Sequence, residues 1–311
     1  MLDIAAVVLP VFLVVAAGYL AAWRGFLTEE QVDGLMKFGQ GIAIPLLLFR
    51  AISQIDMGAA FKPALYITFY GGALSGFIIG MLGARVLFKR DWEDAVAIGF
   101  VGLFTNCLLL GLPITERAYG VETTIHNIAI ISFHAPFCYV VGITTMEFVR
   151  GMQAGTGLRG LGPKIVKAVF KNTLIIGICA GVVLNLSTLQ LPEPMGAGAD
   201  LIARAGIPAA LFGLGGVLRR YRPEGDMKTI IFITCVSLVV HPLMSLGLAL
   251  LVDLPRDAMR AAVLTAAMAP GVNAYLFADL YGRAKRVAAS AVLLGTLGTI
   301  LSASFWIAYL P

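Results

Sequence analysis

Ten apolar runs, each close to the length that carries a helix across a bilayer, follow one another with little between them. Their approximate limits are 4–22, 34–54, 63–88, 95–118, 125–149, 168–189, 198–218, 229–252, 258–281 and 287–309. One crossing needs about 20 apolar residues, so ten spans and their turns use up the 311 residues and leave no soluble domain. Composition agrees, with 59% hydrophobic and 13% charged residues against roughly 25% charged in soluble globular chains. Disordered, fibrous, disulfide-scaffold and ordinary cytosolic-enzyme classes are thereby excluded. The expected fold is an all-α polytopic membrane protein.

The charges orient it. Counted on alternate sides of the ten runs, 17 of the 23 Lys and Arg fall on one side and six on the other. Cytoplasmic loops carry the basic excess, which predicts an integral protein of the plasma (bacterial inner) membrane with both termini on the external side. The net charge of +5 comes from short clusters between apolar runs, a pattern that suits lipid head groups rather than nucleic acid. No Lys or Arg precedes the first run, so it lacks the n-region of a cleaved signal and is expected to persist as a span. Cys107, Cys138, Cys179 and Cys235 lie inside apolar runs without CxxC spacing. They are read as buried, inert thiols, with no metal and no resident cofactor.

Five spans on each side of a Gly-rich linker require any related halves to be inverted. Such a relation is visible: IPLLLF around Pro45 and IPAALF around Pro208, offset by 163; Lys62, Ile67, Thr68, Arg90 and Asp91 against Lys228, Ile233, Thr234, Arg256 and Asp257, offset by 166; Tyr119-Gly120 and Tyr281-Gly282, offset by 162. The predicted organisation is a first five-helix repeat over 1–150, a cytoplasmic linker over 151–165 and a second, inverted repeat over 166–311. The linker glycines neither follow a strand nor precede a Lys-Ser pair, so they form no phosphate-binding loop.

Two spans are interrupted at corresponding places. Span 4 holds Thr105, Asn106, Gly111 and Pro113; span 9 holds Pro270, Gly271 and Asn273. Proline removes a backbone donor and glycine tolerates unwound dihedrals, so Gly111, Pro113 and Pro270 are read as helix breaks. Unwound backbone at membrane depth survives only beside protein or a water-filled cavity. A half-helix that restarts there points unpaired N–H groups, with about half a positive charge, at the midplane. Asn106 and Asn273 add amide donors. The predicted ligand is a small organic anion, bound through Thr105, Asn106, Gly271 and Asn273. Kinks and glue asparagines also occur in bundles without a ligand. His134, inside the run of span 5, is either a titratable group of that cavity or a structural, hydrogen-bonded side chain. Tyr139 is a further hydroxyl donor, and His241 is read as serving carbonyls freed by Pro242.

The stretches NCLLLGLPITERAYG, from Asn106 to Gly120, and APGVNAYLFADLYG, from Ala269 to Gly282, resemble the auxin efflux carrier family. The HAP stretch of span 5 is similar to its bacterial, malonate-carrier-like members. The resemblance implies an inverted five-plus-five fold, with broken helices 4 and 9 crossing in a mobile unit and helices 1, 2, 6 and 7 forming a scaffold. It places Asn106 on the substrate carboxylate and His134 in the same pocket. It also implies an elevator-type carrier rather than an enzyme, and no HExxH or GxSxG arrangement argues otherwise. A sodium-coupled symporter of the bile-acid-carrier type and a non-transporting membrane subunit are the alternatives, and the coupling ion, H+ or Na+, stays open. Small residues at Gly39, Gly41, Gly206, Gly213, Gly215 and Gly216 suit close helix approach and lead to the expectation of a homodimer through the scaffold.

Overall fold

The computed structural model describes residues 2–56, 58, 61–154, 163, 173–187, 189 and 191–311, and most of the linker expected over 151–165 lies outside them. The described residues form helices: α1 (Leu2–Trp23), α2 (Glu29–Gln54), α3 (Pro63–Val86), α4 (Trp92–Leu103), α5 (Leu112–Tyr119), α6 (Val121–Ala154), α7 (Thr173–Leu186), α8 (Glu193–Leu218), α9 (Met227–Leu251), α10 (Arg256–Ala266), α11 (Val272–Tyr281) and α12 (Lys285–Tyr309). Among them, seven are long and apolar enough to cross a membrane: α1, α2, α3, α6, α8, α9 and α12. The other three runs read from the sequence are the two interrupted ones, α4–α5 and α10–α11, and the run containing the shorter apolar α7.

Polar residues between the runs start the helices. Thr28 closes a capping box with Gln31 at the head of α2, Asp91 accepts from the Asp94 amide at the head of α4, and Asp226 accepts from Lys228 before α9. Each satisfies an amide that has no partner inside its helix.

Three π-turns, Gly39–Ala43, Cys107–Gly111 and Val236–Val240, end two residues before a proline: Pro45, Pro113 and Pro242. In each, the residue before the proline donates to the carbonyl five back instead of four. The wider turn accommodates a ring that has no amide and would otherwise crowd the preceding carbonyl. The carbonyl that the missing Pro242 amide would have served, Leu238 O, accepts instead from Ser302 Oγ at 3.1 Å.

Two compact units interleave along the chain. One comprises residues 1–8, 62–168 and 221–311; the other comprises 9–61 and 169–220. The first therefore takes runs 3–5 and 8–10 with the start of run 1, and the second takes the rest of run 1 with runs 2, 6 and 7.

In the second unit the glycines are spent on packing within the chain. A methyl at Gly18 would run into the carbonyl of Phe212, and one at Gly215 into that of Val15, so α1 and α8 touch backbone to backbone. Gly206 lies against the backbone of Ala43, Gly39 against Ala210, Gly213 against Met36 and Gly216 against Val32; only Gly41 of the six has open space around it. Of the cysteines, Cys107 and Cys138 are buried as expected, but Cys179 and Cys235 are exposed. Apolarity brought all four into the runs without deciding which face of a helix they take.

One end of the first unit is tied by charge. Glu93 Oε2 accepts from Arg150 Nε at 2.9 Å and from Arg283 Nε at 3.1 Å, Arg150 Nη2 donates to the Tyr281 carbonyl at 3.1 Å, and Arg283 Nη1 donates to Asp91 at 3.1 Å. The start of α4 and the ends of α6 and α11 are thereby fastened to one carboxylate. Burial by itself would raise the Glu93 pKa, but the hydrogen bonds from Arg283 and Arg150 outweigh it and hold the group below its ordinary 4.5. A carboxylate depressed in the folded state contributes stability that is complete above its ordinary pKa and is lost as pH falls through the depressed one. Melting of the purified protein from pH 7 downward is therefore expected to show a gap between wild type and Glu93→Gln at neutral pH that closes as pH falls below the ordinary 4.5 and through the depressed value. A gap of constant size would mean that the pairs add nothing charge-dependent.

Candidate functional site

The two interruptions meet inside the first unit. α4 ends at Leu103, and Phe104 leaves the helix with φ −94° and ψ 95°. α10 ends at Ala266, and Gly271 is extended at φ −73° and ψ 159° before α11 begins. Between these ends the two unwound stretches pair as an isolated antiparallel bridge, Thr105 opposite Pro270. Asn106 N donates to Ala269 O at 2.7 Å, and Gly271 N donates to Phe104 O at 2.8 Å. Each break thus supplies the other's backbone partners in a place where lipid supplies none.

Side chains close the remaining positions. His134 Nε2 donates to Thr105 O at 3.1 Å, while its ring lies edge-on to Phe104, with centroids 4.6 Å apart. Ala269 N donates to Thr299 Oγ1 at 2.8 Å, and that hydroxyl donates to Gly295 O at 2.9 Å. Gly295 leaves room for the break, since a methyl there would come within 2.6 Å of Pro270 Cδ. Space is also tight at Gly271, where a Cβ would stand 3.1 Å from the Phe104 ring and the ring would have to give by a few tenths of an ångström.

The two asparagines are oriented by what their oxygens do. Asn106 Oδ1 accepts from the Leu109 amide at 3.2 Å and caps the π-turn that leads into α5. Asn273, in the first turn of α11, accepts from Tyr139 OH at 3.2 Å through its own Oδ1. With both carbonyl ends engaged by the protein, each carboxamide has its NH2 end left as a donor. The bridge is therefore flanked by two amide donors and by two helix starts whose first N–H groups have no carbonyl four residues back. Such an arrangement is complementary to an anion.

The sequence-derived candidates are thus distributed unevenly. Asn106, Asn273, Gly271, Pro270, Thr105, His134 and Tyr139 all come together at the bridge. The Thr105 side chain is buried, its Oγ1 without a hydrogen-bond partner; its contribution is the backbone carbonyl held by His134. Gly111 and Pro113, read as breaks, lie in the π-turn and in the first turn of α5, and the chain unwinds earlier, at Phe104–Asn106. The π-turn before Pro113 accommodates its ring and the chain stays helical through it, so Pro113 does not unwind the span. His241 reaches Phe69 O on α3 at 3.3 Å rather than a carbonyl freed by Pro242. Thr299 and Gly295 were not anticipated. A lone threonine in an apolar run ordinarily bonds its own helix four residues back, and nothing in the pattern marks one that also accepts from a neighbouring break.

Thr299→Val keeps the shape and removes the acceptor, leaving the Ala269 amide buried and unpaired. A loss of about 1–3 kcal/mol is expected, read as a lower melting temperature that Thr299→Ser restores.

Membrane-length helices with two broken ones joined at their breaks are the setting in which secondary transporters place substrate and coupling-ion sites. The chain matches the membrane transport protein family over residues 3–155 and 157–307 and belongs to it, alongside the auxin efflux carriers. It is 25% identical to a putative malonate transporter of Rhizobium meliloti (strain 1021), over 96% of this chain and 92% of that one. It is 22% identical to the uncharacterized transporter YfdV of Escherichia coli K12, over 96% and 95%. With auxin efflux carrier component 8 of Arabidopsis thaliana it shares 23% identity over 93% and 92%.

Proposed function

We propose that the protein is a secondary carrier of a small organic anion, a carboxylate, held at the bridge between the two helix breaks by the amide groups of Asn106 and Asn273. The observation that carries this reading is the engagement of both asparagine oxygens within the protein. Each side chain then offers a donor, and no Lys or Arg stands at either break to make the anion bind too tightly for release. Gly271 gives the ligand access to backbone, while His134 and Tyr139 act on the geometry: one holds the Thr105 carbonyl, the other turns Asn273. The name of the Rhizobium relative makes malonate the first substrate to try, and the plant relative makes an auxin-like aromatic acid the second.

In this reading the ten runs form two inverted five-helix repeats with both termini external, supported by the matched breaks and by the equal share each half gives to both compact units. Runs 3–5 and 8–10 move as the elevator, and runs 1, 2, 6 and 7 stay as a scaffold. A scaffold that must stay still in a bilayer is most simply held by a second copy, so we place a homodimer there. Because five of the six glycines are used within the chain, the anchoring requirement supports the dimer and the glycine stripe does not.

Thermal unfolding in detergent against a panel of mono- and dicarboxylates, followed by uptake of the radiolabelled hit into proteoliposomes, tests the proposal. A ligand at about 100 times its Kd stabilises by about 2.7 kcal/mol, a clear upward shift in melting temperature. A panel in which no carboxylate shifts melting or enters vesicles would defeat it.

A further inference from the structure

Independently of the anion site, the second unit contains a cleft of about 500 Å³. It lies where the last turns of α2 approach the first turns of α8, with Arg50, Gln54, Glu193 and Asp200 among its polar walls and Leu184, Leu189 and Leu191 among its apolar ones. The volume is that of a small-molecule site. Its place at the ends of two membrane-length helices puts it at the level of lipid head groups.

The charges are partly spent and partly free. Arg50 grips Asp200 through Nε at 2.7 Å and Nη2 at 3.0 Å, which leaves both N–H groups of Nη1 available. The guanidinium lies over Gly196, whose Cβ would stand 3.6–3.7 Å from Nη2, Cζ and Nη1; a larger side chain there would lift it away. Glu193 has no ionic or hydrogen-bonded partner among the described residues and is exposed. Asp200 is shared by Arg50 and, at longer range, Arg204, whereas Glu193 stands as a carboxylate without a cation beside it, so this cleft does not repeat the chemistry of the bridge. The pattern calls for a positive group beside Glu193 and Asp200 and a negative one on Arg50. The apolar side continues outward: Leu189 is 73% exposed, Leu186 75% and Val183 68%, an uncovered hydrocarbon face beside a polar pocket.

We propose that this cleft binds a phospholipid with a zwitterionic head group bearing a primary ammonium, its phosphate on Arg50, its ammonium on Glu193 and Asp200, and its acyl chains along the leucine face. A quaternary ammonium keeps the charge but has no N–H to donate, so a choline lipid binds more weakly, and a glycerol lipid lacks the positive group altogether.

Native mass spectrometry of the full-length protein with dioleoyl phosphatidylethanolamine, phosphatidylcholine or phosphatidylglycerol added in equal amounts reads this directly. Retention is expected in that order. Glu193→Gln, which disturbs no existing pair, should lower ethanolamine-lipid retention by about two- to fivefold, the range for one partly exposed ionic contact, and leave the glycerol lipid unchanged. Arg50→Gln leaves Asp200 unpaired, so Arg50→Gln/Asp200→Asn, which keeps the pair neutral and bonded, is the second variant and should abolish the preference. Equal retention of ethanolamine and glycerol lipids by wild type would overturn the proposal, as would an ethanolamine preference that survives both variants. Added glycerophosphoethanolamine should fail to displace the bound lipid, and displacement at comparable concentration would assign the cleft to a soluble zwitterion instead.

Discussion

Asn106→Asp is expected to leave the protein folded and to remove its anion binding. Aspartate is as good a cap as asparagine, and its oxygen can accept from the Leu109 amide as Asn106 Oδ1 does. What changes is the other end of the side chain, where a donor becomes a second, negatively charged oxygen. Loss of one charge-assisted hydrogen bond costs about 1.5–3 kcal/mol, or roughly 10- to 150-fold in Kd, before repulsion between the new carboxylate and the ligand is added. Asn106→Ala loses the cap as well as the donor, so it should weaken both binding and stability. The contrast is the test, because a residue that only caps would give the opposite ranking, with the Asp variant near wild type in ligand affinity. Ligand-induced melting shifts of the three proteins separate the two roles.

The second large effect is expected from Gly215→Val. The side chain would be forced into the Val15 carbonyl, and the backbone of α1 cannot retreat as the tip of a long side chain would. Overpacking of an ordinary core costs about 1–3 kcal/mol, and a clash of backbone against backbone should lie at or beyond the upper end. Gly18→Val, against the Phe212 carbonyl on the other side of the same helix pair, should behave alike. Gly41→Ala, with open space around it, is the control and should be close to neutral or mildly stabilising, since alanine is the better helix former. Monodisperse yield and melting temperature in one detergent measure all three. A Gly215→Val protein as stable as wild type would show that α1 and α8 are not held in contact.

Hydropathy made the apolar runs legible, because a bilayer imposes length and composition on each span. The second break was equally legible, since Pro270 and Gly271 lie within it. The first is displaced from its sequence signal: Gly111 and Pro113 mark the stretch, yet Pro113 is absorbed by a π-turn, and the unwinding at Phe104–Asn106 involves neither glycine nor proline. It is held by Ala269 O, the Gly271 amide and His134, partners about 30 to 170 positions away that no local pattern encodes. For the same reason His134 was recognisable as important, while its bond to a carbonyl was one of two readings. The asparagines were legible as polar groups beside breaks; which end of each amide faces the protein was not, because that depends on Leu109 N and Tyr139 OH.

The reciprocal bridge also bears on how the chain is made. When synthesis has reached the linker, α4 and α5 are complete, but the acceptor for the Asn106 amide and the donor for the Phe104 carbonyl, which follow them by 163 and 167 positions, are still to be made. Until Ala269 and Gly271 arrive, the first half carries an unwound segment whose polar backbone has only water, translocon or chaperone to bond, at several kcal/mol for each group left bare in hydrocarbon. Neither half is therefore a finished membrane protein, and a chain truncated in the linker should be a substrate for membrane proteases rather than a stable five-helix product. Two halves expressed as separate chains should protect each other from degradation, because each carries the missing strand of the other's break.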